Sequence, residues 1–254
     1  MKPVYIVSWL FALAISFVSC DDWLDKTPKD RLYPDVYFKT EDELRLFTNQ
    51  FYNNLVPSAV DIYSESSDLI VKSDLMLEMS GQRIIPDEGN GWNFTALRDI
   101  NFYLQYSHNC TEVNARNRYD GVARFFRAYF YFEKVKRYGD IPWYDKALDS
   151  DDPELYKARD SREFVMQKML EDLDFAIANL PKTKNAYVLT RWTALALKSR
   201  VCLFEGTFRK YHGLEDCEKY LNACVSASET FMNESGYTLY KSGSTPYRDL
   251  FASI

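Results

Sequence analysis

The sequence predicts a mainly α-helical chain built from paired helices, and three observations carry that expectation. Its 254 residues include 19 Tyr, 17 Phe and 5 Trp against only 9 Gly and 9 Pro, which suits large helical surfaces packed by rings better than a turn-rich β fold. Apolar residues recur at helical spacing in several segments between Leu44 and Phe231. Two of these segments, starting at Thr40 and Asp160, open on an oxygen-bearing side chain with Glu three residues later, the spacing of a capping box. With 46% hydrophobic residues, the chain is long enough to bury a sizeable core, as one large domain or two modest ones.

Residues 1–19 read as a secretory signal peptide. Lys2 supplies the positive start, and residues 4–18 are apolar with little interruption. That run is shorter than the ~20 residues a membrane-spanning helix needs. Ser19 is small and Cys20 follows at once, as in a bacterial lipobox, where a diacylglycerol thioether forms on the cysteine before cleavage. Phe17 stands where the usual pattern has Leu, and an ordinary signal peptide with a cysteine behind it is the alternative. A thioether-linked lipid pair plus an N-acyl chain makes a stable anchor. Loss of residues 1–19 removes only Lys2 and takes the formal charge from −6 to −7.

Residues 20–39 read as an extended, lipidated leader, because Pro28 and Pro34 prevent a continuous helix while Trp23, Leu24, Tyr33 and Phe38 offer apolar handles. The helix opened by Thr40 carries Leu44, Phe47, Phe51 and Leu55 on one stripe and ends before Pro57. Residues 58–91 are polar and irregular, with a short helix expected at 74–79. The stretch 79–91 holds three of the nine glycines and is the best candidate for an exposed, shaped loop. Helical spacing resumes near Trp92 with Leu97, Ile100, Tyr103 and Leu104. Residues 120–138 form the strongest helix, apolar nearly all round and interrupted in its densest part only by Arg127; such a helix is buried on several sides. Gly139 suits a left-handed C-cap and Pro142 blocks extension. The acidic loop 149–154 reads as a solvated turn in preference to a calcium site, whose full spacing it lacks.

A helix is expected after the Asp160 box, carrying Val165, Met169, Leu173, Ala176 and Ile177 to a stop at Pro181. Another spans 191–211, and Gly213 separates it from one with Cys217, Tyr220, Leu221, Cys224, Ser228 and Phe231 on one side. Residues 237–240 suggest a short extended piece. Long helices on short connections argue for antiparallel helix pairs. Ala128 and Phe132 followed by a proline loosely match part of a tetratricopeptide repeat, although no clean 34-residue period runs through the chain.

Several stretches together resemble one family. They are CDDWLDKTP at 20–28, YFKTEDELRLFTNQFYNNL at 37–55, GVARFFRAYFYFEKVKRYGDIPWY at 121–144, REFVMQKMLEDLDFAIANLP at 162–181 and RWTALALKSRVCLFEGTFRKYH at 191–212. They resemble the SusD/RagB family of outer-membrane nutrient-binding lipoproteins, most specifically around Arg127, Tyr138, Gly139, Asp140 and Pro142. The resemblance implies a tetratricopeptide-like helical-repeat scaffold with irregular loops over residues 40–254. It also implies a lipid anchor at Cys20, a place on the outer face of the outer membrane, and a TonB-dependent (SusC-like) transporter as partner. An oligosaccharide is the implied ligand, a peptide in some members, and no catalysis is implied. Family members are usually longer, and the resemblance breaks off near Tyr247–Phe251, so the helical domain is expected to be incomplete at its C-terminus.

Sugar recognition needs aromatic faces for C–H surfaces and polar side chains for hydroxyls. Gln82, Arg83, Asp87, Asn90, Trp92 and Asn93 supply those types around the glycine-rich loop. The competing readings are that Trp92 anchors the next helix in the core and that the polar residues are merely solvated. Trp143 and Tyr144 read as packing, and Tyr63 is a further candidate ligand contact. Arg124, Arg127, Lys134, Lys136 and Arg137 suggest either an anion site or charges set at the edge of a buried helix with their stems on rings. A formal charge of −6 argues against nucleic acid as a partner. Two histidines and no Cys/His cluster argue against zinc, and no cofactor is expected. No nucleophile elbow, phosphate loop or HExxH is present, so the chain reads as a binding protein; a helical adaptor that binds only protein is the alternative. Cys217 and Cys224, seven residues apart on one helix, are too far apart to pair, and small buried thiols are the expected state of Cys110, Cys202, Cys217 and Cys224.

Overall fold

Thr40 starts the first helix as its spacing requires. In α1 (Glu41–Leu55) the Thr40 hydroxyl accepts from Glu43 N–H at 3.3 Å and the Glu43 carboxylate accepts from Thr40 N–H at 3.1 Å. The computed structural model describes residues 36–57, 80–82, 84 and 91–252. The signal peptide, Cys20, most of the leader, Tyr63 and the helix expected at 74–79 lie outside the described residues. Just ahead of the cap, Phe38 takes a positive φ of 66° and buries its ring fully against Phe47, Phe102 and Tyr103.

The later helices are α2 (Thr95–Tyr106), α3 (Val113–Tyr138), α4 (Arg162–Asn179), α5 (Arg191–His212), α6 (Cys217–Glu234) and α7 (Pro246–Ala252). Single 3₁₀ turns lie at Ser107–Asn109 and Pro153–Tyr156. Among the described residues there is no strand, only an antiparallel bridge between Ile141 and Asp160. The extended piece expected at 237–240 has no regular structure. Among the described residues no helix is long and apolar enough to cross a membrane.

Side-chain pairs fix the directions of the helices. Phe94 meets Phe130 and Asn101 meets Arg127, so α2 and α3 run antiparallel. Gly121 faces Leu180 while Arg127 meets Asp172, so α4 runs back along α3. Arg162 reaches Glu205 and Lys198 reaches Asp174, reversing direction again into α5. Gly206 abuts Leu221 and Ser199 bonds Ser228, which sets α6 against α5. The result is a mostly helical up-down meander of the tetratricopeptide-like kind, with α1 laid on α2 and α3. The α5–α6 contact is close: a Cβ on Gly206 would stand 2.7 Å from Leu221 Cδ2 and 3.1 Å from its backbone nitrogen.

α3 is the central helix, with Val122, Phe125, Phe126, Phe130, Tyr131, Phe132 and Val135 all buried. It starts at Val113, earlier than the apolar pattern indicates, because its first two turns are polar and carry no stripe. Gly139 has φ 71° and ψ −110°, a glycine-type conformation but not the αL one expected. The Asp160 box is displaced by one residue. Ser161 is the cap of α4 and accepts from Phe164 N–H, while the Asp160 carboxylate takes Trp143 N–H at 2.7 Å. Glu163 instead meets Arg209, Lys219 and Tyr220 across the α4–α5–α6 seam. Burial opposes its charge, yet Arg209 and Lys219 hold its carboxyl below the ordinary range.

Arg127 does not sit at the edge of the helix. Its side chain is only 8% exposed and clasps Asp172 at 2.6 and 2.8 Å while donating to Asn101 at 3.2 Å. Burial works against this guanidinium, and the Asp172 hydrogen bonds and charge outweigh it, raising its pKa. Lys136 and Lys134 fit the edge reading better, with their ammonium groups over Phe132 and Phe130 at 4.7 and 4.8 Å.

Candidate functional site

The site is built where the glycine-rich loop enters α2. Gly91 has φ 80°, so the turn needs glycine for its conformation, and a Cβ there would lie 3.3 Å from Arg137 Nη1 and 3.4 Å from Tyr138 Oη. Asn93 N–H closes the turn onto Gly91 O at 2.9 Å. The Asn93 side-chain oxygen accepts from Thr95 N–H at 2.8 Å, supplying the first turn of α2 with an acceptor that the formal cap, Phe94, lacks. That oxygen is committed; the amide NH₂ faces no protein acceptor among the described residues.

Trp92 is therefore not a core anchor. It is 41% exposed and stands at the rim, edge-on to Phe94 at 5.1 Å and to Tyr138 at 4.8 Å. The Arg159 guanidinium lies 5.0 Å from its ring centre. Lys134 ties the turn to α3 by donating to Gly91 O. Burial, and then the neighbouring Arg137 charge, lowers the Lys134 pKa. Phe94 continues the pile of rings inward to Phe130 at 5.7 Å and Tyr144 at 5.8 Å.

Beside this pile, a cavity of about 270 Å³ opens between α2 and residues 144–155. Phe94, Leu97, Tyr144, Leu148 and Leu155 make it apolar, with Arg98 and Asn101 as its polar walls. Its outer wall is pinned by part-buried and exposed polar bonds. Asn101 donates to Tyr144 O at 2.8 Å and to Lys146 O at 3.3 Å, and Arg98 Nε donates to Leu148 O at 3.2 Å. Tyr144 N–H donates to the Tyr131 hydroxyl at 2.6 Å, while the Tyr144 hydroxyl donates to Leu155 O. Burial raises the Tyr144 phenol, which stays a neutral donor. Trp143 packs inside, stacked on Tyr131 with centroids 4.2 Å apart and 5% exposed.

The structure thus brings Trp92 and Asn93 together with Phe94, Tyr138, Tyr144, Lys134 and Arg159. Arg83, Asp87 and Asn90 lie outside the described residues, and Gln82 is exposed in the turn that precedes them. Sequence reasoning passed over Arg159 and Asn101 as site residues and weighed Lys134 only as part of an anion site or as an edge charge. Only the 3.6-residue spacing of Phe130, Lys134 and Tyr138 on one face of α3 hints at their partnership. An aromatic rim with the open Asn93 amide, beside an apolar cleft edged by the Arg98 guanidinium, can hold a ring or chain with C–H faces and hydroxyls. Among the described residues no three His, Cys, Asp or Glu side chains cluster as metal ligands.

Residues 52–191, more than half of the chain, match the SusD-like family described as starch-binding and associating with the outer membrane. SusD-like protein P38 of Formosa agariphila is 25% identical over 226 residues, 80% of this chain and 43% of that protein. SusD-like protein P2 of the same organism is 27% identical over 218 residues, 78% of this chain and 43% of its own length. A SusD-like protein of Bacteroides fragilis superposes with a TM-score of 0.63 at 22% identity, over 89% of this chain and 44% of the other. A SusD homolog of Bacteroides thetaiotaomicron gives the same score at 18% identity, over 81% and 43%. The chain spans under half the length of the curated relatives it matches. The helical meander matches those solved folds, and with more than half its length inside the family match the chain belongs to the SusD-like family.

Proposed function

We propose that this chain is a cell-surface, lipid-anchored glycan-binding protein that works with a TonB-dependent transporter in nutrient uptake, and that it binds its oligosaccharide without chemistry. The observation that carries the reading is Trp92: a large ring left 41% exposed, edge-on to Tyr138 and to Phe94, which itself lines the apolar cleft. An indole so placed presents a rigid apolar face with a polar N–H edge, a surface on which the C–H face of a sugar ring can stack. The family's description as starch-binding supports a sugar as the occupant, and its association with the outer membrane supports the location. Cys20 carries the anchor by lipidation. Trp92 supplies the stacking face, and Arg83, Asp87, Asn90 and the free Asn93 amide bond hydroxyls around it.

The test is a glycan array probed with the full chain and with Trp92→Ala. The reading expects an oligosaccharide signal that the substitution abolishes, and a β-barrel transporter that co-purifies from detergent-solubilised outer membrane. A transporter retained with no glycan signal would replace it with the protein-binding adaptor. Loss of neither signal in Trp92→Ala would remove the indole from the site, and hydrolysis of a polysaccharide by the purified chain would overturn the non-catalytic reading.

A further inference from the structure

A second concave surface lies far from Trp92. It is a groove of about 620 Å³ between the start of α3, the end of α4 and the connector to α5. Its chemistry is unusual for an ordinary solvated surface, because four of its lining residues are asparagines from three separate segments. Asn114 and Asn117 lie one turn apart on α3, with Arg118 beside them. Asn179 ends α4, and Asn185 lies in the connector. Asparagine is a poor helix former, so two of them in the first turns of the central helix cost stability where Ala or Glu would not.

Their hydrogen-bonding capacity is mostly unspent. The side chains of Asn114, Asn117 and Thr183, also in the lining, make no hydrogen bond to any described residue. Asn179 donates once to Phe175 O, leaving its own oxygen open. Asn185 accepts once from Tyr187 N–H, leaving its NH₂ open. Ala178, Pro181 and Val188 contribute aliphatic surface between these groups. The charge is balanced: Arg118, the lining's charged group, is paired with Glu41 at 3.4 Å. In the connector, Lys184 is bonded to Gly236 O and so is occupied.

We propose that this groove is a second saccharide-binding site, for a neutral, hydroxyl-rich ligand. A sugar hydroxyl both donates and accepts, and a carboxamide offers both in one group, so converging amides match it without the desolvation cost of a charge. The aliphatic residues meet the C–H faces between hydroxyls. The groove is independent of the aromatic rim, because Asn117 and Lys134, which ties down the Trp92 turn, are on the order of 25 Å apart along α3 at 1.5 Å per residue. The proposal rests on the glycan-binding reading for its ligand class alone, and its test separates the two.

The test follows the side-chain NH₂ and indole resonances of the ¹⁵N-labelled full chain during titration with maltoheptaose, cellohexaose, xylohexaose and mannohexaose. With at least one of them, the Asn114 and Asn117 amides are expected to shift saturably. Asn114→Ala/Asn117→Ala should weaken that binding about tenfold, as the loss of two neutral hydrogen bonds implies, while Trp92→Ala leaves it within about twofold. Thr183→Val, outside any helix, should weaken it less and keeps the test valid if the double variant misfolds. Movement of the Trp92 indole alone would overturn the groove and keep the rim. Movement of the amides alone would keep the groove and overturn the rim. Amides that respond to an N-acetyl tetra-alanine amide but to no saccharide would make the site a peptide groove and overturn the ligand class. No shift with any of the four sugars would overturn the site outright.

Discussion

Replacing Asp172 by Asn keeps the shape of the side chain and removes the charge that Arg127 needs. Arg127 and Asp172 are 7% and 2% exposed and share two hydrogen bonds of 2.6 and 2.8 Å. At an effective dielectric of about 20, unit charges about 4 Å apart attract by about 4 kcal/mol, most of which offsets the cost of taking both out of water. Losing one partner leaves that cost uncompensated, and such a loss destabilises by about 3–5 kcal/mol. Arg124, 3.6 Å from the same carboxylate, is 36% exposed and stays partly hydrated, so it adds little. For a chain of this size, 1 kcal/mol moves Tm by about 2–4 °C, so Asp172→Asn should lower Tm by roughly 6–20 °C. Urea unfolding followed at 222 nm should show the midpoint falling with an unchanged slope. The double variant Arg127→Met/Asp172→Leu should recover most of the loss, because it leaves no unpaired charge. A single-variant loss below about 1 kcal/mol, or a double variant no better than the single one, would refute the reasoning. The same pair holds Asn101, whose amide pins residues 144 and 146, so Asp172→Asn should also weaken glycan binding at the cleft.

Gly206→Ala gains about 1 kcal/mol of helix propensity but drives a methyl against Leu221, including its backbone, at a typical overpacking cost of about 1–3 kcal/mol. A lower Tm is expected, and a higher one would show that α5 and α6 separate freely. Cys110 and Cys202 are fully buried, and burial pushes the Cys202 thiol up to about 12. Native-state alkylation at pH 8 should therefore label the half-buried Cys217 and Cys224 and spare Cys110 and Cys202 until urea unfolds the chain. Burial also raises the Asp120 carboxyl above the usual range, against smaller opposing effects of Ser107, Tyr103 and Arg124. A carboxyl raised in the folded state contributes stability at pH below its unfolded value, near 4, that is lost as pH rises through its folded value. Asp120→Asn should flatten that fall between acid and neutral pH, and an unchanged pH profile of Tm would count against the burial of the charge.

What could be read from the chain in order was local. Thr40 with Glu43 started α1, the Leu44 and Phe51 stripe oriented it, and Gly213 marked the break between α5 and α6, because caps and 3.6-residue stripes act within one or two turns. The family and its helical scaffold were legible for the same reason, as runs of residues around α1, α3, α4 and α5. Asp160 and Glu163 had capping spacing, but their carboxylates were claimed by Trp143 N–H and by Arg209 from elsewhere in the fold, so Ser161 became the cap. Arg127 looked like an edge charge until Asp172, 45 residues away, came opposite it in a buried seam. Trp92 read first as an anchor of the next helix in the core, and it was its edge-on packing against Phe94 and Tyr138 that left the indole exposed. The aromatic content and helical periodicity of the sequence determined that this chain would fold as packed helices. Which polar groups faced inward, and which were left open to a ligand, was decided only by the meeting of helices distant in sequence, since a buried charge or an unspent amide is defined by partners that no local pattern specifies.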